Sequence, residues 1–214
     1  MDFPSLLSYL WGGFVWTIVI FVLTILFSMP LGLGVSLLRL SKYKIIQYPV
    51  RFYLLIMRGT PLVLQLMFVM YAPPFVFGVP INRVVAAVIA FSLNYAAYFA
   101  EIYRAGIQSV PLGQYEAAAV LGFSSRQTFL RIIFPQVIKK ILPPVGSEWM
   151  VLVKDTALAQ TIAVVELFRN ATNAMSRYAS ITPIIVAALF YLAMGALVEL
   201  LFAQIEKKLN YYKG

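Results

Sequence analysis

Apolar side chains run along this chain in long uncharged blocks. Nothing between Phe3 and Leu38 carries a charge, and 13–37 makes a first helix long enough to cross a bilayer, for which about 20 residues suffice. It does not read as a cleaved signal: it lacks a basic start, it is too long, and no small-residue cleavage site follows a short apolar core. The second uncharged run covers 59–82 and ends in the turn-rich Pro73-Pro74 and Gly78-Val79-Pro80. The third covers 84 to about 100. A more polar, basic stretch occupies 103–142, and two apolar segments come after it, at about 145–165 and about 183–202. The fourth of these five segments contains Glu148, Lys154 and Asp155, which lower its hydropathy. The pattern predicts an all-α integral membrane protein, one transmembrane domain over 1–214, with about five crossings.

Composition agrees with a chain solvated by lipid. Of 214 residues, 62% are hydrophobic and 12% charged, where a soluble domain has about 45–50% and about 25%. There is no cysteine, which excludes disulfides, iron–sulfur clusters and thiol catalysis, and no histidine, the commonest zinc ligand and general base. The net charge of +9 would suggest nucleic acid on a soluble protein. Its distribution argues otherwise. One set of connecting segments and span ends holds Arg39, Lys42, Lys44, Arg51, Arg58, Arg104, Arg126, Arg131, Lys139, Lys140, Lys207, Lys208 and Lys213; the opposite set holds Arg83, Arg169 and Arg177. The positive-inside rule then puts the N-terminus outside and the C-terminus in the cytoplasm. Topology and anionic membrane lipid account for the charge, and nucleic acid is not an expected partner.

The basic stretch holds the most structured pattern. Residues 114–121 are rich in helix formers, and Gly122 is a natural stop. Ser124 with Gln127 three residues on predicts a capping box for the next helix, which Pro135 then perturbs. Ala117 and Ala118 beside Glu116 give the first helix a small-residue surface that a partner's groove can approach closely. A helix bent back at Gly122 forms a knob suited to being moved by a partner. Taken alone, Glu116 is also an ordinary first-turn acid favoured by the helix dipole.

Glu116-Ala117-Ala118, Gly122, Ile132 and Pro135 resemble, in type and spacing, the cytoplasmic signature of the permease subunits of ABC importers, with Phe134 where leucine is usual. A second set resembles the polar amino-acid branch of that family: Arg58-Gly59-Thr60-Pro61 with Gln65, Pro135-Gln136, Leu142-Pro143-Pro144, and Lys154-Asp155-Thr156 with Leu158. The resemblance implies the type I importer permease fold, with a cytoplasmic coupling-helix segment at about 106–142. It also implies a multi-pass protein of the prokaryotic cytoplasmic (inner) membrane. A second permease subunit would pair with it, identical or paralogous. Two ATP-binding subunits would dock on Glu116, Ala117, Ala118 and Gly122, and an extracytoplasmic amino-acid-binding protein would deliver the substrate. ATP and magnesium would be bound by the ATPase partner, and this chain would be a permease, not an enzyme, with no cofactor or metal of its own.

Intramembrane polar residues are expensive and usually face a bundle interior or a wet cavity. Asn94, Tyr98 and Glu101 fall at i, i+4 and i+7, on one face of a helix. Glu148, Asp155 and Thr156 lie close to one face, with Gln160 a turn beyond, and Gln65 in the second span is in a position to join them. Such a cavity suits a polar amino acid, and its carboxylates favour a basic one. The structural alternative is pairing: Lys154 and Asp155 with neighbours, and Glu101 with Arg104 at i+3. An ion-gradient-driven carrier or channel is the rival function. The chain lacks a phosphate-binding loop of the Gly-x-x-x-x-Gly-Lys-Ser/Thr type, so it is not its own ATP motor. Five spans also do not divide into the equal inverted halves common in such carriers.

Overall fold

The computed structural model describes residues 2–209; Met1 and 210–214, Lys213 of the charge count among them, lie outside the described residues. The described chain is helical throughout: α1 (Phe3–Arg39), α2 (Lys44–Gly59), α3 (Leu62–Phe77), α4 (Arg83–Gln108), α5 (Leu112–Val120), α6 (Ser125–Thr128), α7 (Phe134–Asp155), α8 (Leu167–Tyr178) and α9 (Thr182–Leu209). A π-helical turn, Phe129–Ile133, joins α6 to α7, and a 3₁₀ segment, Thr156–Ile162, continues α7.

By length and composition α1, α4 and α9 can each cross a membrane. The second span departs from the expected single run over 59–82. Its α3 is 16 residues long, about 24 Å at 1.5 Å per residue, short of a hydrocarbon core about 30 Å thick. It is long and apolar enough only together with α2, from which it is bent by 109°. The break falls at Thr60-Pro61, where the chain turns extended. The residue before a proline is pushed out of the helical region. Pro73 and Pro74, expected in a turn, lie inside α3, and Gly78 closes it in the left-handed conformation.

The charges of α7 keep it out of that compositional class, yet its course follows α4 along nearly its whole length. Ile141 packs on Gly106, Asp155 meets Tyr95, and the Ala163 carbonyl meets Arg83. The two segments are thus antiparallel. α9 runs antiparallel to α7 in turn, with Phe202 against Gly146 and Met150 against Gly195. α1 and α4 run parallel: Leu23 lies with Val84 and Val85, and Gly32 with Phe99 and Ala96.

Small residues set the central contact. The buried face of α1 carries Thr24, Ser28, Gly32 and Ser36 at four-residue spacing. Across from it α4 buries Ala86, Ala87, Ala90, Ala96, Ala97 and Ala100. In lipid, association rests on close packing, and small side chains let backbones approach. A Cβ on Gly32 would stand 2.8 Å from Phe99 Cβ and 2.9 Å from the Ala96 carbonyl oxygen. Gly34, two residues on, has open space around it. The outer surfaces of α1, α3 and α9 expose large apolar side chains such as Trp11, Leu26, Phe68, Leu189 and Leu200, as lipid or a partner helix requires.

Candidate translocation site and coupling helix

The residues expected to line a polar path divide into two groups. Gln65 and Asn94 belong to the framework. Both are buried, and their amides close a loop: Asn94 Nδ2 donates to Gln65 Oε1 at 2.9 Å, while both donate to the Met57 carbonyl, at 2.8 and 3.0 Å. Gln65 Nε2 also donates to the Thr60 hydroxyl. The amides therefore cap the backbone groups freed at the α2–α3 break. Thr156 is likewise turned inward, its buried hydroxyl donating to the Val153 carbonyl. Gln160 lies in the 3₁₀ segment that begins at Thr156, where the backbone turns more tightly than the α-helix carrying Glu148 and Asp155. Asp155 accepts a hydrogen bond of 2.7 Å from the Tyr95 hydroxyl.

Tyr98, Glu101 and Glu148 do come together. With Arg58, Arg104 and Lys140 they line a cavity of about 500 Å³ between α4 and α7. Glu101 is the most engaged: Arg104 Nη2 donates to it at 2.7 Å and Arg104 Nε lies 3.1 and 3.2 Å from its two oxygens. Arg58 from the end of α2 and Arg39 from the end of α1 approach it at 3.9 and 4.0 Å, too far for hydrogen bonds but close in charge. The i, i+3 pairing with Arg104 is thus formed. Arg58 also lies over the Tyr98 ring, 5.4 Å from its centre. Among the described residues, Glu148 has no hydrogen-bonded or ion-paired partner and faces the cavity half-buried.

A second hollow of about 610 Å³ adjoins the first and shares Arg58, Tyr98 and Glu101 with it; Arg39, Arg51, Leu54, Leu55 and Gly59 complete its wall. The convergence of these arginines is not legible in the sequence, since it needs the ends of α1 and α2 to meet on α4. A third hollow, beside Leu23, Phe27 and Val88, is walled almost wholly by apolar atoms and offers a polar substrate no partner.

Sequence reasoning also misses another buried carboxylate. Glu166 is fully buried and caps α8, accepting from the Phe168 and Arg169 backbone amides at 2.8 and 2.7 Å and from the Tyr191 hydroxyl at 3.0 Å. Thr17 accepts from the Leu167 amide, and Asn170 donates to the Tyr9 carbonyl. This cluster ties α1, α8 and α9 together. Its sequence signal is an acid directly before an amphipathic helix, masked by the apolar segment beside it.

The basic segment forms the short helix α5 as expected, but the helix after it is not short: α6 continues through the π turn into α7. α5 ends in a Schellman closure: the Gly122 amide donates to the Ala119 carbonyl and the Phe123 amide to the Ala118 carbonyl, both at 3.0 Å, with Gly122 at φ +79°. Ser124 and Gln127 form both bonds of the capping box. Pro135 perturbs the next helix, as expected, without ending it. The π turn at Phe129–Ile133, closed by the Phe134 amide on the Phe129 carbonyl, absorbs it. An inserted residue relieves the clash between the proline ring and the preceding turn. Glu116 and Ala117 are exposed, with Leu112, Val120 and Leu121 beside them at about three-quarters exposure or more. Ala118, expected to face a partner, is turned inward and buried.

Residues 28–211 match the family model described as the binding-protein-dependent transport system inner membrane component. The chain belongs to this family. The permease is 39% identical to the L-cystine transport system permease protein of Bacillus subtilis, over 94% of this chain and 86% of that protein. It is 35% identical to the arginine transport system permease protein of the same organism, over 92% and 91%. It is also 33% identical to the putative glutamine transport system permease protein of Rickettsia felis, over 97% and 95%. A crystal structure of an amino acid ABC transporter with histidines superposes with a TM-score of 0.87 at 33% identity, covering 97% of this chain and 99% of that one. The MetNI methionine ABC transporter shares the fold alone, at TM-score 0.72 and 16% identity. The permease therefore has the type I importer fold and is a multi-pass membrane component; in such systems ATP is hydrolysed by a separate subunit.

Proposed function

We propose that this permease carries polar amino acids across a prokaryotic cytoplasmic membrane by alternating access, driven by a partner ATPase. One observation carries the reading: a cavity of about 500 Å³ with both signs of charge, Arg58 and Lys140 on one hand and Glu148 on the other. An amino acid needs a cation for its carboxylate and an anion for its ammonium. Relatives named for cystine, arginine and glutamine transport support the class. A preference for basic substrates rests on Glu148, because Glu101 is already answered by Arg104.

The exposed surface of α5 at Glu116 and Ala117, held by Gly122, is the docking element for the ATPase. Two such subunits, a second permease and an extracytoplasmic binding protein complete the assembly, in anionic lipid. Closure of the ATPases on ATP moves α5, and the difference in affinity between their two states drives the switch of access. The N-terminus lies outside and five segments cross: α1, the broken α2–α3 pair, α4, α7 with its 3₁₀ continuation, and α9. In support, α1, α4 and α9 run in one sense and α7 in the other.

The test is uptake by liposomes containing the permease, its ATPase and its binding protein. Arginine and glutamine are taken up only with ATP, and glutamate poorly. Uptake driven by an ion gradient without ATP refutes the proposal in favour of a carrier. Topology is read separately from Ser5→Cys and Gln114→Cys, both exposed positions in a chain without cysteine. The first is labelled only from outside and the second only from the cytoplasm; labelling of both from one side sinks the five-span arrangement.

A further inference from the structure

We infer that Arg39, at the end of α1, and Arg51, midway along α2, form a binding site for the phosphate headgroup of one anionic phospholipid. The inference rests on the fold and the charge placement and not on which substrate is carried.

Charge is the first support. Arg39, Arg51, Arg58 and Arg104 crowd around a single carboxylate, Glu101. Arg104 holds that carboxylate at hydrogen-bond distance, and Arg39 and Arg58 do not. Each guanidinium offers about five N–H donors. Among the described hydrogen bonds, the donors of Arg39 and Arg51 are used once, by Arg51 on Gln47. Arg39 Nε is buried with no hydrogen-bond partner. That nitrogen faces Glu101 Oε1 at 4.0 Å, so what the side chain, 22% exposed, can offer a ligand is its terminal nitrogens. Clustered guanidiniums match a phosphate's planar, bidentate contacts.

The apolar wall favours a lipid as the source of that phosphate. The hollow has room for a headgroup, at about 610 Å³, and is bounded by Leu54 and Leu55. Leu55 is 69% exposed and continues an outward strip of Ile45, Tyr48 and Phe52 on α2, along which an acyl chain can lie. Arg39 ends a helix with no charge from Phe3 to Leu38, which sets it where the hydrocarbon gives way to headgroups. A second copy docked with this patch on its two-fold axis would set arginines against arginines.

The test uses the permease–ATPase complex, stripped of lipid in detergent and read by native mass spectrometry. Phosphatidylglycerol is expected to bind in discrete copies, and phosphatidylcholine not to. Arg39→Gln with Arg51→Gln weakens phosphatidylglycerol about thirty-fold, and Arg39→Lys with Arg51→Lys far less. The lysine pair keeps the charges, so it guards against a loss caused by misfolding. Equal affinity in the glutamine pair overturns the inference, as does phosphatidylcholine binding equally well. Displacement of the lipid by millimolar inorganic phosphate assigns the site to a free anion and overturns it too. None of these readouts depends on transport, so a failed substrate assignment leaves them unaffected.

Discussion

Gln65 on α3 and Asn94 on α4 share a buried hydrogen bond of 2.9 Å, and each donates a second to the carbonyl of Met57 on α2. Three helices meet at this point, beside the bend at Gly59–Pro61. Irregular backbone inside a membrane is tolerated where its polar groups are satisfied by protein. These two amides satisfy them, so the bend is fixed to α4 and Arg58, next to Met57, is aimed at the cavity.

Asn94→Leu and Gln65→Leu are each expected to lower stability in detergent by about 1–2 kcal/mol. Thermal unfolding measures the loss. The double variant should lose clearly less than the sum, because the two side chains share one network. Full additivity would mean that the amides act separately.

Gly32 and Gly34 separate close packing from mere proximity. Gly32→Ala sets a methyl against Phe99 Cβ and the Ala96 carbonyl, groups that cannot swing away. A cost of about 1–3 kcal/mol is expected. Gly34→Ala meets nothing within 4 Å and should change stability by less than about 0.5 kcal/mol. The same melting measurement reads both.

Gly122→Val should leave the permease inserted but uncouple it. At φ +79° a side chain costs about 1–2 kcal/mol, more when branched at Cβ, so the Schellman closure opens and α5 loses its fixed direction. Substrate-stimulated ATP hydrolysis in the assembled complex falls toward its basal rate. Gly113→Ala, on the same helix with open space around it, is the control and keeps stimulation. Normal stimulation in Gly122→Val would remove the closure from the coupling path.

The sequence exposes some parts of this structure and hides others for physical reasons. The crossings by α1, α4 and α9 are legible because hydropathy is a bulk property of one segment. Gly122 and the Ser124–Gln127 box are legible because caps are local chemistry. The α2–α3 break is not: Pro61 hints at a helix start, but the 109° bend depends on packing against α4. Spacing puts Asn94 with Tyr98 and Glu101 on one face, and it does not say that Gln65 will take Asn94 out of the cavity. The small-residue run Thr24, Ser28, Gly32 and Ser36 has a clear four-residue period, yet its meaning needs the alanine face of α4. The arginine cluster at Glu101 joins residues up to 65 positions apart and has no sequence period.

Glu101 and Glu148 line the same cavity but should fail in different ways. Glu101 offsets Arg104, Arg58 and Arg39, so Glu101→Gln leaves three neighbouring guanidiniums facing one another. Like charges at such distances repel. That variant is expected to melt earlier and to carry arginine and glutamine equally poorly. Glu148 has no protein partner among the described residues, so Glu148→Gln removes a charge the fold does not use. Its melting temperature should hold or rise. A hydrogen bond to a charged group is worth about 1.5–3 kcal/mol, so the KM for arginine should increase at least about ten-fold. Glutamine, without a cationic side chain, should be much less affected. Parallel uptake kinetics of both substrates in liposomes, with the two variants and the parent protein, give the comparison. Unchanged arginine kinetics in Glu148→Gln would take this carboxylate out of the substrate's path and remove the support for a basic preference.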